Sequence, residues 1–406
     1  MKKKSYCIVA FALLALVVSY YCLPYYARQA LLHGHPGIDD LSLFARDTIR
    51  RASPCEEWPL SSRYNTRSLS PSDEAYLDRL GTVAFLVIRG DSILHEEYRG
   101  GWDESMTSNL FSATKSIVGL LVGVARGEGK IRSLDDPVGE YLPEFRAGRK
   151  ARVTIRHLLT MSSGLNWDES YSSLFSLTTR GYYGRDLRAL VGSLEAVEEP
   201  GEQFSYKSGD TQLLSFIVES AVGTSIGAYA GEKLWQPAGA CRDAYWLLDK
   251  PGGDEKAFCC FHTGAREVAR LGSLLLHGGA WRDRQLVPAD YMAEATRPAA
   301  YLRDEFGGES LDYYGFQTWI MHYRGMVNPY FRGMLGQYII AIPSRDAVVV
   351  RLGREREREY ARESPRDLYR YMDMALALLD GEGEGSLPPR VEVTREEGGE
   401  DGDDQL

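Results

Sequence analysis

The sequence predicts an α+β fold: an antiparallel sheet flanked by helices, with a mainly helical region inserted between its early and late strands. Three observations carry this. A hairpin pattern, VAFLVIRGDSILHEEYRG (Val83–Gly100), stands early in the main domain. Three strand-like runs, GFQTWIMH, GQYIIAIP and AVVVRLG, stand near its end. The long stretch between them places apolar side chains at helical spacing.

Taken in order, the chain begins with MKKK, a positive n-region, followed by an unbroken apolar run, Ile8–Val18. Extended over Tyr6–Leu23, the run is long enough for a short membrane span, and Tyr20, Tyr21, Tyr25 and Tyr26 fall where an outer aromatic belt would lie. No convincing small-x-small cleavage site follows, so residues 1–27 are read as an uncleaved anchor in preference to a cleaved signal peptide. Lys2–Lys4 would stay inside, leaving the rest on the periplasmic side of an inner membrane. Residues 28–75, rich in Ser, Pro and Arg, read as a linker with first packing elements.

The main domain is expected over residues 76–380. Its hairpin turns at a Gly-Asp pair. LFSATKSIVGLLVGVARGEGK (Leu110–Lys130) reads as a helix that begins near Ser112 and is apolar enough to be buried. SLDDPVGEYLPEF has Asp and Pro at a helix start. TIRHLLTMSSGLNWDESY gives a short helix and a Gly-ended loop, in which His157 is read as structural. TQLLSFIVESAVG (Thr211–Gly223) and REVARLGSLLLHGG (Arg266–Gly279) are amphipathic helices ending in glycine. Among the late strands, SRD makes a tight turn, and SPRDLYRYMDMALALLD closes the domain as a helix with Pro365 in its first turn.

The 406 residues can bury one large core or two modest ones, and the net charge of −10 argues against nucleic-acid binding. Residues 381–406 hold nine acidic and two basic residues and read as a solvated, disordered tail. Cys55, Cys241, Cys259 and Cys260 would face an oxidising compartment, where Cys241 with Cys259 or Cys260 is the expected bridge. The cysteines lack zinc-finger spacing, so no metal site is expected.

The chemistry centres on Ser112 and Lys115. Positions three apart share one helix face, so a lysine amine can reach the serine hydroxyl as its base. Burial lowers the lysine pKa, and a helix N-terminus offers free N–H groups to a developing oxyanion. Taken alone, the pattern is weak and reads first as a serine that caps a helix. A second element, Tyr206-Lys207-Ser208, supplies a phenol beside a lysine that needs a proton partner.

FSATKS, EPGEQFSYKSGDTQLL and GMLGQYIIAIPSRDAVVVRLG resemble the three motifs of the serine β-lactamase/penicillin-binding-protein superfamily, closest to its class C-like esterase and 6-aminohexanoate-dimer hydrolase branches. The resemblance spans roughly residues 73–380 and implies that superfamily's fold. It implies Ser112 as acyl-forming nucleophile, Lys115 as base and Tyr206 as the group that protonates the leaving group. Ser208, where class C-like enzymes more often have Asn, would hydrogen-bond Lys115. The oxyanion hole would be the N–H groups of Ser112 and Gln337, with Gly336 giving close substrate approach, and Tyr171 would contact the substrate.

One departure matters. The third motif normally starts with Lys or His, but here it reads Met334-Leu335-Gly336. A lost charge-assisted hydrogen bond costs about 1.5–3 kcal/mol, or ~10–100-fold in binding, so weak β-lactam turnover is expected. Arg332 could substitute, though an exposed arginine is the default. The resulting expectation is a membrane-anchored serine hydrolase of a small-molecule ester or amide, without metal or cofactor. Its alternatives are a D-Ala-D-Ala-type peptidase, a β-lactamase, or a non-catalytic envelope scaffold. Oligomeric state is not legible.

Overall fold

A computed structural model describes residues 2–305, 308, 310–361 and 363–380. The expected acidic tail lies outside the described residues. The chain opens with helix α1 (Lys2–Cys22) and, after a break at Pro24, helix α2 (Tyr25–His33). Among the described residues no single helix is long and apolar enough to cross a membrane; Val9–Cys22 and Tyr25–His33 meet that measure only as a pair bent by 118°. Helix α2 is docked on the domain. Ala27 and Ala30 are buried, the Arg185 guanidinium lies 3.9 Å from the Tyr25 ring centre, and the Tyr183 hydroxyl donates to the Gly34 carbonyl at 2.8 Å.

The domain is built on a six-stranded antiparallel sheet. Its strands are β1 (Thr82–Arg89), β2 (Ser92–Tyr98), β3 (Trp319–Tyr323), β4 (Met326–Gly333), β5 (Gln337–Ile342) and β6 (Ala347–Gly353), in spatial order β2-β1-β6-β5-β4-β3. Strands β1 and β2 form the expected hairpin, with both turn residues, Gly90 and Asp91, at positive φ. Between the early and late strands run α3 (Ala113–Gly127), α4 (Ile155–Leu159), α5 (Ser208–Val222) and α6 (Ala265–Leu276); α7 (Arg366–Asp380) closes the domain.

Both faces of the sheet are buried, which explains why its late strands are almost wholly apolar. Val348, Val350, Ile339 and Ala341 join the core containing α6, whereas Val349, Tyr338, Ile340 and Ile342 join the core containing α7. Alternate residues therefore serve opposite layers. Gly272 lets α6 approach the sheet, since a Cβ there would lie 2.6 Å from Val348 and 2.7 Å from Ile339. Each large apolar side chain buried this way stabilises the fold by roughly 1.5–3 kcal/mol.

Several expectations differ from what forms. SLDDPVGEYLPEF makes two short 3₁₀ turns, Val138–Glu140 and Pro143–Phe145, instead of an α-helix; two prolines six residues apart leave no room for a longer one. Pro365 belongs to a short strand pair just before α7 rather than to the helix. Strand β4 was not expected, because Pro329 interrupts its pattern; it nonetheless pairs with Ile320 of β3.

The expected Cys241 pairing with Cys259 or Cys260 is not formed. Cys55 bridges Cys241, and Cys259 bridges its neighbour Cys260. The reason is a contact between segments 186 residues apart in sequence. Ala52 and Glu56 donate backbone N–H groups to the carbonyls of Ala240 and Gly239, which brings Cys55 beside Cys241.

Candidate active site

A second, smaller sheet holds the approach to Ser112. It runs in the order Arg46–Ile49, Ala244–Leu247, Phe261–Thr263 and Ser108–Asn109. Two residues on, Phe111 is forced to a φ of 47°, and its N–H donates to Asn109 Oδ1 at 2.9 Å. A left-handed residue of this size costs energy and persists only where its surroundings hold it. It turns the chain sharply into α3.

Ser112 occupies the N-cap position of α3, yet its side chain makes no capping hydrogen bond. The first turn is tight, with the N–H groups of Ala113, Thr114 and Lys115 each donating to the carbonyl three residues back. Such a turn brings side chains at i and i+3 nearly in line. Lys115 Nζ accordingly donates to Ser112 Oγ at 2.9 Å and to the Phe258 carbonyl at 2.9 Å. The Tyr206 ring centre lies 5.0 Å from the same nitrogen. Lys115 is only 2% exposed. Burial pulls its pKa down to about 8, against the opposing charge of Glu169. An amine so placed is neutral in a useful fraction near neutral pH.

The Tyr206 and Tyr171 hydroxyls both approach Ser112. Burial, reinforced by the Glu169 charge, pushes both phenols above their ordinary range. They therefore remain protonated where Lys115 is already neutral, so Tyr206 suits a proton donor or relay better than a base. It is held by an aromatic bed that includes Trp319, whose ring centre is 5.5 Å away.

Ser208 departs from expectation. Its hydroxyl donates to Glu169 Oε1 at 2.6 Å, and its N–H donates to Glu169 Oε2 at 2.6 Å. Glu169 was missed in the sequence. It lies in the loop after α4, and the only trace was its place two residues before Tyr171, whose hydroxyl also donates to Oε1 at 2.6 Å. A carboxylate at the start of α5 is favoured by the helix dipole and by the free N–H there. Ser208 thus bonds Glu169, while the Lys115 amine bonds Ser112 and the Phe258 carbonyl.

Gly336 and Gln337 also differ from their expected roles. Met334–Gly336 is a tight turn with Leu335 at φ 62° and Gly336 at φ 81°. A Cβ on Gly336 would lie 2.3 Å from Arg351 Nη1, which donates to the Leu335 and Gly336 carbonyls. Glycine there serves the turn and not substrate approach. Gln337 begins β5, an interior strand, and its side-chain amide pairs with Gly353 in both directions, at 2.6 Å and 3.1 Å.

The open edge lies on β4 instead. Strand β3 pairs with Met326–Tyr330 only, so Phe331–Gly333 run past its end. A Cβ on Gly333 would lie 2.1 Å from the Leu110 carbonyl oxygen, two residues before Ser112. Arg332 is buried, not exposed; its guanidinium stacks 3.4 Å from the Trp319 ring centre and donates to the Glu363 carbonyl. His157 completes a capping box with Thr154 at the start of α4.

The arrangement provides a hydroxyl, a buried amine of lowered pKa and two phenols around one point, beside an open strand edge. A family model described as Beta-lactamase matches residues 74–371. The 6-aminohexanoate-dimer hydrolase of Paenarthrobacter ureafaciens is 29% identical over 301 residues, covering 70% of this chain and 75% of that protein. Esterase EstB of Burkholderia gladioli is 32% identical over 225 residues, 49% of this chain and 55% of its own. A Bacillus anthracis structure, provisionally named a 6-aminohexanoate-dimer hydrolase, superposes with a TM-score of 0.70 at 20% identity, covering 82% of this chain and 91% of that one. A family VIII carboxylesterase superposes at 0.62 with 18% identity, over 77% and 99%. These structures share the fold.

Proposed function

The chain belongs to the β-lactamase family of serine hydrolases, and from that premise we propose that it cleaves a small-molecule ester or amide through an acyl-enzyme on Ser112. The observation that carries this reading is the 2.9 Å contact between Lys115 Nζ and Ser112 Oγ, with the lysine buried and its pKa lowered to about 8.

In the neutral state Lys115 takes the Ser112 proton as Oγ bonds to the carbonyl carbon. The oxyanion is met by main-chain N–H groups at Ser112 and at the open Phe331–Gly333 edge, a location that Gly333 favours by its closeness to Leu110. Tyr206 passes a proton to the leaving oxygen or nitrogen as its bond to carbon breaks, and is itself reprotonated from the Lys115 ammonium. Water then attacks the acyl carbon, gives its proton back through the same two groups, and Ser112 is restored. Every proton is returned, so the cycle is closed by these residues and water. Tyr171 borders the substrate on the other flank.

The ester/amide reading draws support from the two curated relatives, which are named for an amide dimer and for esters. β-Lactams are proposed as poor substrates, since Phe331 and Met334 leave either alignment of the third motif without its leading cation.

We also propose that α1 anchors the protein in the inner membrane with the domain on the periplasmic side. The exposed Phe11, Leu13, Leu14 and Leu16 on α1, and two disulfides suited to an oxidising compartment, favour this. A fluorophosphonate probe applied to the full chain in detergent tests the chemistry: mass gain on the Ser112 peptide supports it, and a folded protein that stays unlabelled refutes it. Retention in alkali-washed membranes tests the anchor.

A further inference from the structure

Glu169 has no part in the cycle just described, although its carboxylate accepts three hydrogen bonds from Tyr171 and Ser208. It takes the Tyr171 hydroxyl and the Ser208 hydroxyl on Oε1 and the Ser208 N–H on Oε2, each at 2.6 Å. We propose that Glu169 is a positioning residue: by accepting the Tyr171 hydroxyl it fixes that phenol at the edge of the site, and by holding Ser208 it fixes the start of α5 and with it Tyr206.

The inference rests on the hydrolase reading and follows from where the protons lie. A phenol donates one hydrogen bond, and the single Tyr171 proton is committed to Glu169. Ser112 keeps its own proton for Lys115, which lies 2.9 Å away. Through Ser208, the same carboxylate ties down the start of α5, two residues after Tyr206. Glu169 is also the charge that opposes the burial of Lys115. The other groups around the amine are Ser112 on its own helix, the Tyr206 ring, and the Phe258 carbonyl with its ring.

E169Q tests it in the full-length protein. One amide oxygen cannot accept three donors, and its NH₂ group can reverse the Tyr171 bond. The expected result is a ~10–100-fold fall in kcat with little change in KM, and a shift of the acid limb of kcat/KM to lower pH, because Lys115 loses the carboxylate that opposes its deprotonation. A purely structural role would not move that limb. E169D keeps the charge but cannot reach both Tyr171 and Ser208, so it should lose kcat with the limb in place. Y171F should do the same. Wild-type kcat in a folded E169Q or E169D, or an E169Q limb left at the wild-type pH, overturns the inference while leaving the hydrolase reading intact. Failure of wild type itself to label at Ser112 or to turn over any ester overturns both.

Discussion

Gly333 is pressed against the backbone of Leu110, so that a Cβ at 333 would stand 2.1 Å from the Leu110 carbonyl oxygen. The last residue of β4 and the residue two before the nucleophile thus hold each other in place. Gly333 has φ −127°, which any residue adopts, so what demands glycine is space alone. G333A must push β4 away from the Ser112 loop. Such a displacement typically costs ~1–3 kcal/mol, and it should lower kcat/KM by more than ~10-fold through misplacement of the open edge. G336A makes the contrast. It is strained by a φ of 81° and by Arg351 and should also unfold earlier in denaturant, yet each folded molecule should keep kcat/KM within a few-fold. Denaturant midpoints and kinetics on the two variants check this; equal catalytic loss in both would return the role to Gly336.

Replacing the nucleophile separates chemistry from binding. S112A should abolish fluorophosphonate labelling and lower kcat on p-nitrophenyl esters by ~10⁴-fold or more. K115R should be nearly as inactive, because a guanidinium stays charged and cannot take the serine proton. Intact-mass labelling and steady-state kinetics read both out. Turnover by K115R within tenfold of wild type would exclude Lys115 as the base.

The pH profile follows from the buried amine. Lys115 must be neutral to act, and its pKa is lowered to about 8. Activity should rise with pH and level off as pH passes that value, with kcat/KM increasing about tenfold per unit on the acid side. The Tyr206 phenol titrates well above this, so it should remain a proton donor across the rise. An acid limb near the ordinary carboxylate range would point to a different base.

Much of this site was readable before any coordinates, and the exceptions have physical causes. Ser112 and Lys115 are local, three positions apart on a helix whose apolar face announces burial, so their contact was legible. The Phe258 carbonyl that shares the ammonium comes from 143 residues away and is a backbone atom, which leaves no side-chain signature. Glu169 reaches Ser208 across 39 residues by a loop without periodicity. The third motif was read at Met334–Gly336, whereas the stretch that runs past the end of β3 is Phe331–Gly333; Pro329 hid β4, and Gly333 and Gly336 read alike in a sequence although Gly333 is the one packed against Leu110. The hairpin and the late strands were plain, since alternating or fully apolar runs bounded by Gly-Asp and Ser-Arg-Asp admit little else.

Tyr206→Phe should show its effect through the leaving group. Passing a proton matters most when the departing atom is a poor leaving group, and general acid catalysis contributes typically ~10²–10⁴-fold. A p-nitrophenolate leaves without protonation, so Y206F should lose little on that ester and at least ~100-fold more on an alkyl ester or amide of the same acyl group. Uniform loss across the leaving-group series would assign Tyr206 to Lys115 placement alone, through its ring 5.0 Å from Nζ.

The amine that makes the site reactive should also weaken the fold. Lys115 titrates at about 8 in the folded chain against 10.5 ordinarily, so between those values the unfolded chain binds more protons. Stability rises with pH wherever that holds. Below pH 8 the lysine therefore carries its full penalty, on the order of 3 kcal/mol, which fades as pH climbs towards 10.5. K115M removes the charge and fills the same space, at a cost of about 1–3 kcal/mol for leaving the Phe258 carbonyl without its donor. At pH 7 the variant should be inactive and at least as stable as wild type by urea unfolding. The decisive reading is the trend: the K115M-minus-wild-type difference should stay level below pH 8 and fall from pH 8 to pH 10. A difference that stays flat would mean that Lys115 keeps an ordinary pKa in the fold, and the buried amine would then be no base at neutral pH.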